Sequence, residues 1–249
     1  MKIGLFITDD IFIKEQLLAF MDLVPRLGLE HKDFHIFVKP PRVRKVVSGS
    51  GETLKLLERV TVERIRIFAR RIFLKRMVAS RWRNFENLVS VRLIDSINSS
   101  STQVLLEEVD LDVGVFTNFD EIVKAPSLSK IKRAFNMHNG ILPDYRGCQP
   151  IVWQMLGNEK LSAMTFHVMT EGIDDGDIVF ECPFHINHKQ GVYYNNIQSF
   201  KSIPPALFFG LRRVLYCDAP FARQSDYSAP TRYFRRPSID DLRKIYARF

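Results

Sequence analysis

The stretch from Phe135 to Phe180 constrains this chain more than any other. Ala134 to His138 is a short apolar run with polar residues on alternate positions, so it reads as a strand that ends at His138. Alternation puts Asn136 and His138 on the same side of that strand. Asn139-Gly140 then breaks it, and the proline after Leu142 disfavours helix at Leu142. Two polar side chains at a strand end, beside a Gly/Pro loop, stand where open α/β sheets place their chemistry. On these residues alone, a structural histidine satisfied at a strand terminus is an equal alternative.

Ala163 to Met169 reads as a second strand, and the loop after it, Glu171 to Gly176, holds three carboxylates and two glycines. A carboxylate near a histidine can hold its protonation state and orient its ring. An asparagine amide can donate to an oxygen on which negative charge develops. No Ser or Cys nucleophile elbow is present, which points to direct attack by a bound substrate. An ordinary solvated turn is the alternative for the acidic loop.

The 249 residues fit one α/β domain plus a short extension. No apolar run reaches the ~18 residues that a membrane helix needs, and Met1 to Phe6 enters a strand without a signal-peptide pattern. The cysteines, Cys148, Cys182 and Cys217, are odd in number and widely spaced. They suggest a reducing cytoplasm, with neither a disulfide framework nor a zinc site. His185-x-x-His188 lacks companion ligands, so no metal is expected. The net charge of +8 is uneven: Lys39 to Arg83 carries fourteen Lys or Arg against three Glu. Such a segment can attract phosphates, nucleic acid or an anionic surface, although a helix packed on the sheet or a partner explains it as well.

Along the chain, Ile3–Thr8 reads as a buried strand, with Asp9-Asp10 capping a helix to about Leu27. The first turn lacks the glycines of a dinucleotide site. Phe34–Val38, Val91–Ile94, Asp110–Phe116 and Ile178–Ile186 read as further strands. Helices are expected over residues 54–78, with Leu57, Ile65, Phe68 and Ile72 near one face, and over 99–109, 192–201 and 204–215. The loop between residues 43 and 53 has no periodicity.

Asn136-x-His138, Leu142-Pro143-x-Tyr145-Arg146-Gly147, Thr165-x-His167 and Asp174-x-Gly176 follow one another in an order that resembles the folate-dependent formyltransferase family. That family includes methionyl-tRNA, glycinamide ribonucleotide and sugar N-formyltransferases. The resemblance is good from about Leu111 to Phe180 and loose outside it. It implies a Rossmann-like, mostly parallel sheet flanked by helices, with a catalytic domain over residues 1–203, a basic helical segment at about 39–85, and a C-terminal helix and extension over 204–249. It implies catalytic roles for Asn136, His138 and Asp174, with Asp175 as a neighbouring alternative to Asp174. Phe119, Glu121, Ile122 and Val123 would line a pterin pocket closed by Gly172 and Ile173, or form an ordinary strand-to-helix connection. Tyr145, Arg146, Gly147 and Gln149 would bind the acceptor.

The donor implied is 10-formyltetrahydrofolate, and the acceptor is the amine of a nucleotide-linked amino sugar of the lipopolysaccharide type. Arg232 to Pro237 resembles the C-terminal extension of sugar N-formyltransferases, and the length leaves no room for the β-barrel domain of the tRNA enzymes. A cytoplasmic enzyme without nucleic acid is expected, with a homodimer as the candidate assembly. Initiator tRNA as acceptor, a formyltetrahydrofolate hydrolase and a non-catalytic binding homologue are the alternatives. The chain departs from the family at Leu161-Ser162-Ala163, where a glycine usually precedes the Thr-x-His strand.

Overall fold

The computed structural model describes residues 1–41, 65, 69, 72, 74–227 and 232–248. The chain opens with β1 (Ile3–Thr8), whose six residues are all buried, the pattern of a strand covered on both faces. Asp10 caps α1 (Ile11–Met21) by accepting from the Phe12 N–H at 2.8 Å. The helix ends six residues earlier than expected, because Pro25 opens a 3₁₀ turn, Val24–Leu27, closed by Gly28 in the left-handed region. β2 (Phe34–Lys39) follows.

Residues 74–86 form helix α2, which runs past the expected end at 78. Its buried side is Leu74, Val78, Trp82 and Phe85, at helical spacing. Ile65 and Ile72, expected on the apolar face, are exposed instead. Leu57, Phe68 and the loop at 43–53 lie outside the described residues. β3 (Ser90–Leu93) leads to α3 (Ser100–Val109), capped by Ser99. The strand expected from Asp110 begins only at Val113, since Asp110 is the left-handed C-cap of α3.

β4 (Val113–Thr117), the short helix α4 (Ala125–Leu128) and β5 (Ala134–His138) come next. After β6 (Arg146–Gly147) and α5 (Pro150–Leu156), a hairpin-like pair, β7 (Leu161–Val168) and β8 (Ile178–His185), completes the sheet. α6 (Val192–Phe200), α7 (Ile203–Tyr216), β9 (Tyr233–Phe234) and α8 (Ile239–Tyr246) close the chain. The sequence reading did not anticipate β6, β9, α5 or α8.

The seven strands lie in the order β3-β2-β1-β4-β5-β7-β8. β3 through β5 are parallel, and β7 and β8 are antiparallel additions. The fold is therefore a mostly parallel α/β sheet flanked by helices. The chain turns back at β1, whose neighbours are β2 and β4, so the carboxyl ends of β1 and β4 define a switch point. On one face α1, α2 and α7 cover Leu5, Ile7, Met137 and Phe166. On the other, Phe37, Phe6 and Phe116 sit side by side in register and stack at 4.5 Å and 4.3 Å. The same row continues into Asn136 on β5 and His167 on β7. No helix among the described residues is long and apolar enough to cross a membrane.

Phe6 is fully buried at the centre of that stack. Phe6→Ala should lower unfolding free energy by about 3–5 kcal/mol through lost transfer energy and a cavity. Urea titration of the two proteins measures it, and a loss below about 1 kcal/mol would mean that the stack collapses to fill the space.

Candidate functional site

The polar end of the row is where the chain gathers its chemistry. Asn136 and His167 are directly opposed across β5 and β7, so their side chains share a face. Asn136 Nδ2 lies 3.2 Å from His167 Nε2 and donates to Asp174 Oδ1 at 3.3 Å. His167 Nδ1 is 2.8 Å from the Val168 carbonyl. His167 Nε2 also lies 3.5 Å from Asp174 Oδ1, so a proton on Nε2 faces that carboxylate.

His138, two residues on, is buried. Its Nε2 lies 2.7 Å from the Tyr145 carbonyl and its Nδ1 3.4 Å from Asp174 Oδ2. Both ring nitrogens thus face acceptors. Burial pushes the imidazole below its usual range, while Asp174 and the Tyr145 carbonyl pull the other way without reversing the direction.

Asp174 reaches this cluster from the loop between β7 and β8. Its backbone sits at φ 52°, a left-handed conformation that disfavours any residue with a side chain. Burial on its own would raise its pKa, but His138, His167 and the Gly147 N–H, 2.9 Å from Oδ2, together hold the carboxyl well below the usual carboxylate range. The neighbouring Asp175 is exposed and accepts from Thr170 Oγ1, outside the cluster. The geometry therefore separates the two aspartates: Asp174 faces the histidines and Asp175 does not.

The other residues singled out in the sequence divide into two groups. Tyr145 is buried, its hydroxyl donates to Glu159 at 2.7 Å, and its ring stacks on Phe234. Arg146 donates from Nε and Nη2 to the side-chain amide oxygen of Gln224, Oε1, at 2.9 Å and 2.6 Å. Gly147 supplies the N–H to Asp174, and Gln149 is exposed at the start of α5.

The 118–124 loop leaves the carboxyl end of β4 at the switch point. It is fastened by the buried Lys39, whose Nζ lies 2.7 Å from Asp120, and by Thr8 Oγ1, which accepts from the Asp120 N–H. Phe119 packs edge-on against Phe6 and Phe116. Val123 is buried in the same cluster as Phe119, and Met169 joins it from the loop that carries Asp174. Glu121 faces inward, accepting from Ser96, the Ile97 N–H and Asn98. Ile122 and Ile173 are exposed.

Two members of the site had no role assigned from sequence. His167 was visible only as the last residue of a Thr-x-His pattern. Gln224 carried no local signal, being fifty residues from the loop it contacts. One further contact braces the loop after β5: Thr165 Oγ1 donates to the Gly140 carbonyl at 2.7 Å.

The His138 environment makes a stability prediction. Its folded pKa lies below the ordinary 6.5, so the unfolded chain takes up a proton first as pH falls. This contribution is fully present above 6.5 and is lost below it, by up to about 1.4 kcal/mol per pH unit until the folded pKa is reached. The stability advantage of wild type over His138→Gln should therefore shrink from about pH 7.5 to about pH 5.5. Denaturant midpoints at several pH values test this, and a constant difference would contradict the assigned direction.

Comparison with known proteins places this geometry in context. Residues 90–201 match the formyl transferase family model, a little under half of the chain. Over 94 residues the chain is 34% identical to a methionyl-tRNA formyltransferase of Orientia tsutsugamushi, covering 37% of this chain and 30% of that enzyme. The matches span less than a third of the length of these curated relatives. A sugar N-formyltransferase from Shewanella sp. superposes with a TM-score of 0.59 at 16% identity, covering 98% of this chain and 79% of that one. An N-formyltransferase from Helicobacter canadensis, solved with folinic acid and dTDP-3-aminofucose, gives 0.57 at 18% identity, covering 95% and 71%. The fold is that of the formyltransferases, and the segment that matches their family model, residues 90–201, carries Asn136, His138, His167 and Asp174.

Proposed function

We propose that this chain is an N-formyltransferase that uses 10-formyltetrahydrofolate and the amine of a nucleotide-linked amino sugar. The observation that carries the reading is the convergence of Asn136, His138 and Asp174 at one end of an aromatic row. 10-Formyltetrahydrofolate supplies the formyl group. The chain has groups suited to hold a flat heteroaromatic ring: Phe119 and Val123 form an apolar base, with Ile122 exposed on the same loop and Ile173 exposed on the loop that carries Asp174. Gly172 leaves the turn beside Ile173 narrow, since a Cβ there would strike the Asp175 carboxylate.

In this reading Asn136 Nδ2 exchanges its long contact with Asp174 for an oxygen on which charge builds up. His138 holds or passes a proton at Nδ1, the nitrogen facing Asp174. Asp174 stays ionised, orients the imidazole and stabilises its charged form. The acceptor amine must be neutral to attack, so turnover falls at low pH as amine and imidazole become protonated.

A sugar acceptor is favoured by the solved relatives, one of which was crystallised with a dTDP-amino sugar. A tRNA acceptor is the second reading, motivated by the sequence match to methionyl-tRNA formyltransferases and by the basic surplus between Lys39 and Arg83. The two differ in salt response. A tRNA acceptor engages several phosphates, so its binding weakens by orders of magnitude as salt rises, whereas a nucleotide sugar engages few.

The experiment is formyl transfer from 10-formyltetrahydrofolate to a panel of nucleotide amino sugars and to initiator tRNA across a salt series, read by mass spectrometry. Transfer to a sugar amine with shallow salt dependence is expected. Transfer to tRNA alone would establish the second reading, and release of formate without an acceptor would mark a hydrolase.

The site residues have their own test. Asn136→Ala and His138→Ala should each lower turnover about 100-fold or more. Asp174→Asn should be severely impaired and Asp175→Asn mildly. Wild-type turnover in either of the first two, or the reverse order in the aspartates, would remove these assignments.

A further inference from the structure

Gln224 lies in the segment after α7 and is buried, with 5% of its surface exposed. Its carboxamide is used on both sides. Nε2 donates to the Asp174 carbonyl at 2.9 Å and to the Gly176 carbonyl at 2.8 Å. Oε1 accepts two N–H groups from Arg146. Arg146 is followed by Gly147, whose N–H holds the Asp174 carboxylate. The contacts close a ring: Gln224 to the Asp174 backbone, the Asp174 side chain to Gly147, Arg146 back to Gln224.

The ring acts on a residue with an uncommon backbone. Asp174 at φ 52° carries a left-handed conformation, and Gly147 at φ 100° one that glycine alone adopts readily. A bond to the Asp174 carbonyl fixes the peptide plane that follows its Cα, and so limits the directions open to its carboxylate. The Arg146–Gly147 segment is braced from outside by β9, through the Arg146 N–H to the Arg232 carbonyl and the Cys148 N–H to the Phe234 carbonyl.

We propose that Gln224 is a positioning residue that aims the Asp174 carboxylate at His138 and Asn136, and that Arg146 belongs to the same clasp. The kinetic arm of the test rests on the formyl-transfer reading; the titration arm does not.

Gln224→Glu in the full chain keeps an oxygen for Arg146 and removes both donors to the loop carbonyls. Gln224→Met removes both halves without a charge and serves if the glutamate variant fails to fold. Turnover should fall about 100-fold, the scale of a small misplacement of a reacting group, with KM for the amine within about two-fold of wild type. The His138 titration, followed by NMR, should shift to lower pH, since the nearby negative charge is less well aimed. In an Asp174→Asn background, the same Gln224 substitution should cost less than about three-fold further, because its effect passes through the carboxylate.

Unchanged turnover and unchanged His138 titration in a folded variant would overturn the proposal, as would an equal loss in the Asp174→Asn background. If wild type transfers no formyl group, the functional reading falls and the His138 titration alone decides the role of Gln224.

Discussion

A carboxylate removed from water has to be met by donors, and Asp174 collects its own from several separated segments. β5 supplies the Asn136 amide and the His138 ring, β7 the His167 ring, and β6 the Gly147 N–H. Desolvating a carboxylate costs several kcal/mol, and losing one of its partners leaves charge uncompensated. The segments that surround Asp174 are therefore held to one arrangement. Gln224, from the C-terminal region, fastens the loop from behind.

The position of this cluster follows from the sheet. Parallel strands whose residues are buried on both faces leave polar side chains room only near their carboxyl ends. Phe37, Phe6 and Phe116 fill the row over β2, β1 and β4, and the row turns polar at β5, one strand past the switch point. The two antiparallel strands then serve a purpose that a further parallel strand would not. β7 runs back beside β5, places His167 directly opposite Asn136, and sends the loop with Asp174 across the same face. The aromatic stack forms a stiff apolar floor, and Phe119, Val123 and Met169 extend it beneath the 118–124 loop.

The C-terminal segment has more structure than its composition suggested. In the sequence, residues 204–249 read as a C-terminal helix followed by an extension rich in arginine and aromatics. In the folded chain, Phe234 lies between Tyr145 and Trp153, stacked on both at 5.3 Å and 5.0 Å, while Arg235 covers the Trp153 ring. Trp153 also donates to the carbonyls of Cys148 and Arg235. α8 adds Ile245 and Tyr246 to a small core with Ile151, Val152 and Met155 of α5. Ser238 and Asp241 form a capping box at its start.

What the sequence by itself determined is local. Strand Ala134–His138 has the bounds that alternation assigned, and Asn136 and His138 share a face because the side-chain period of a strand is two. The resemblance to the formyltransferases favoured Asp174 over its alternative Asp175, and the folded loop turns Asp174, not Asp175, toward the histidines. The helix start at Asp10 followed from capping chemistry. Tertiary structure decided what depends on distant partners. Ile65 and Ile72 have helical spacing yet face outward, because periodicity finds a stripe but not the surface that covers it. Tyr145 and Arg146 turn their polar groups to Glu159 and Gln224, contacts that no short-range pattern encodes. The roles of His167 and Gln224 arise only when β7 pairs antiparallel with β5 and the chain returns fifty residues later, since hydrogen bonds act over about 3 Å of space whatever the separation along the chain.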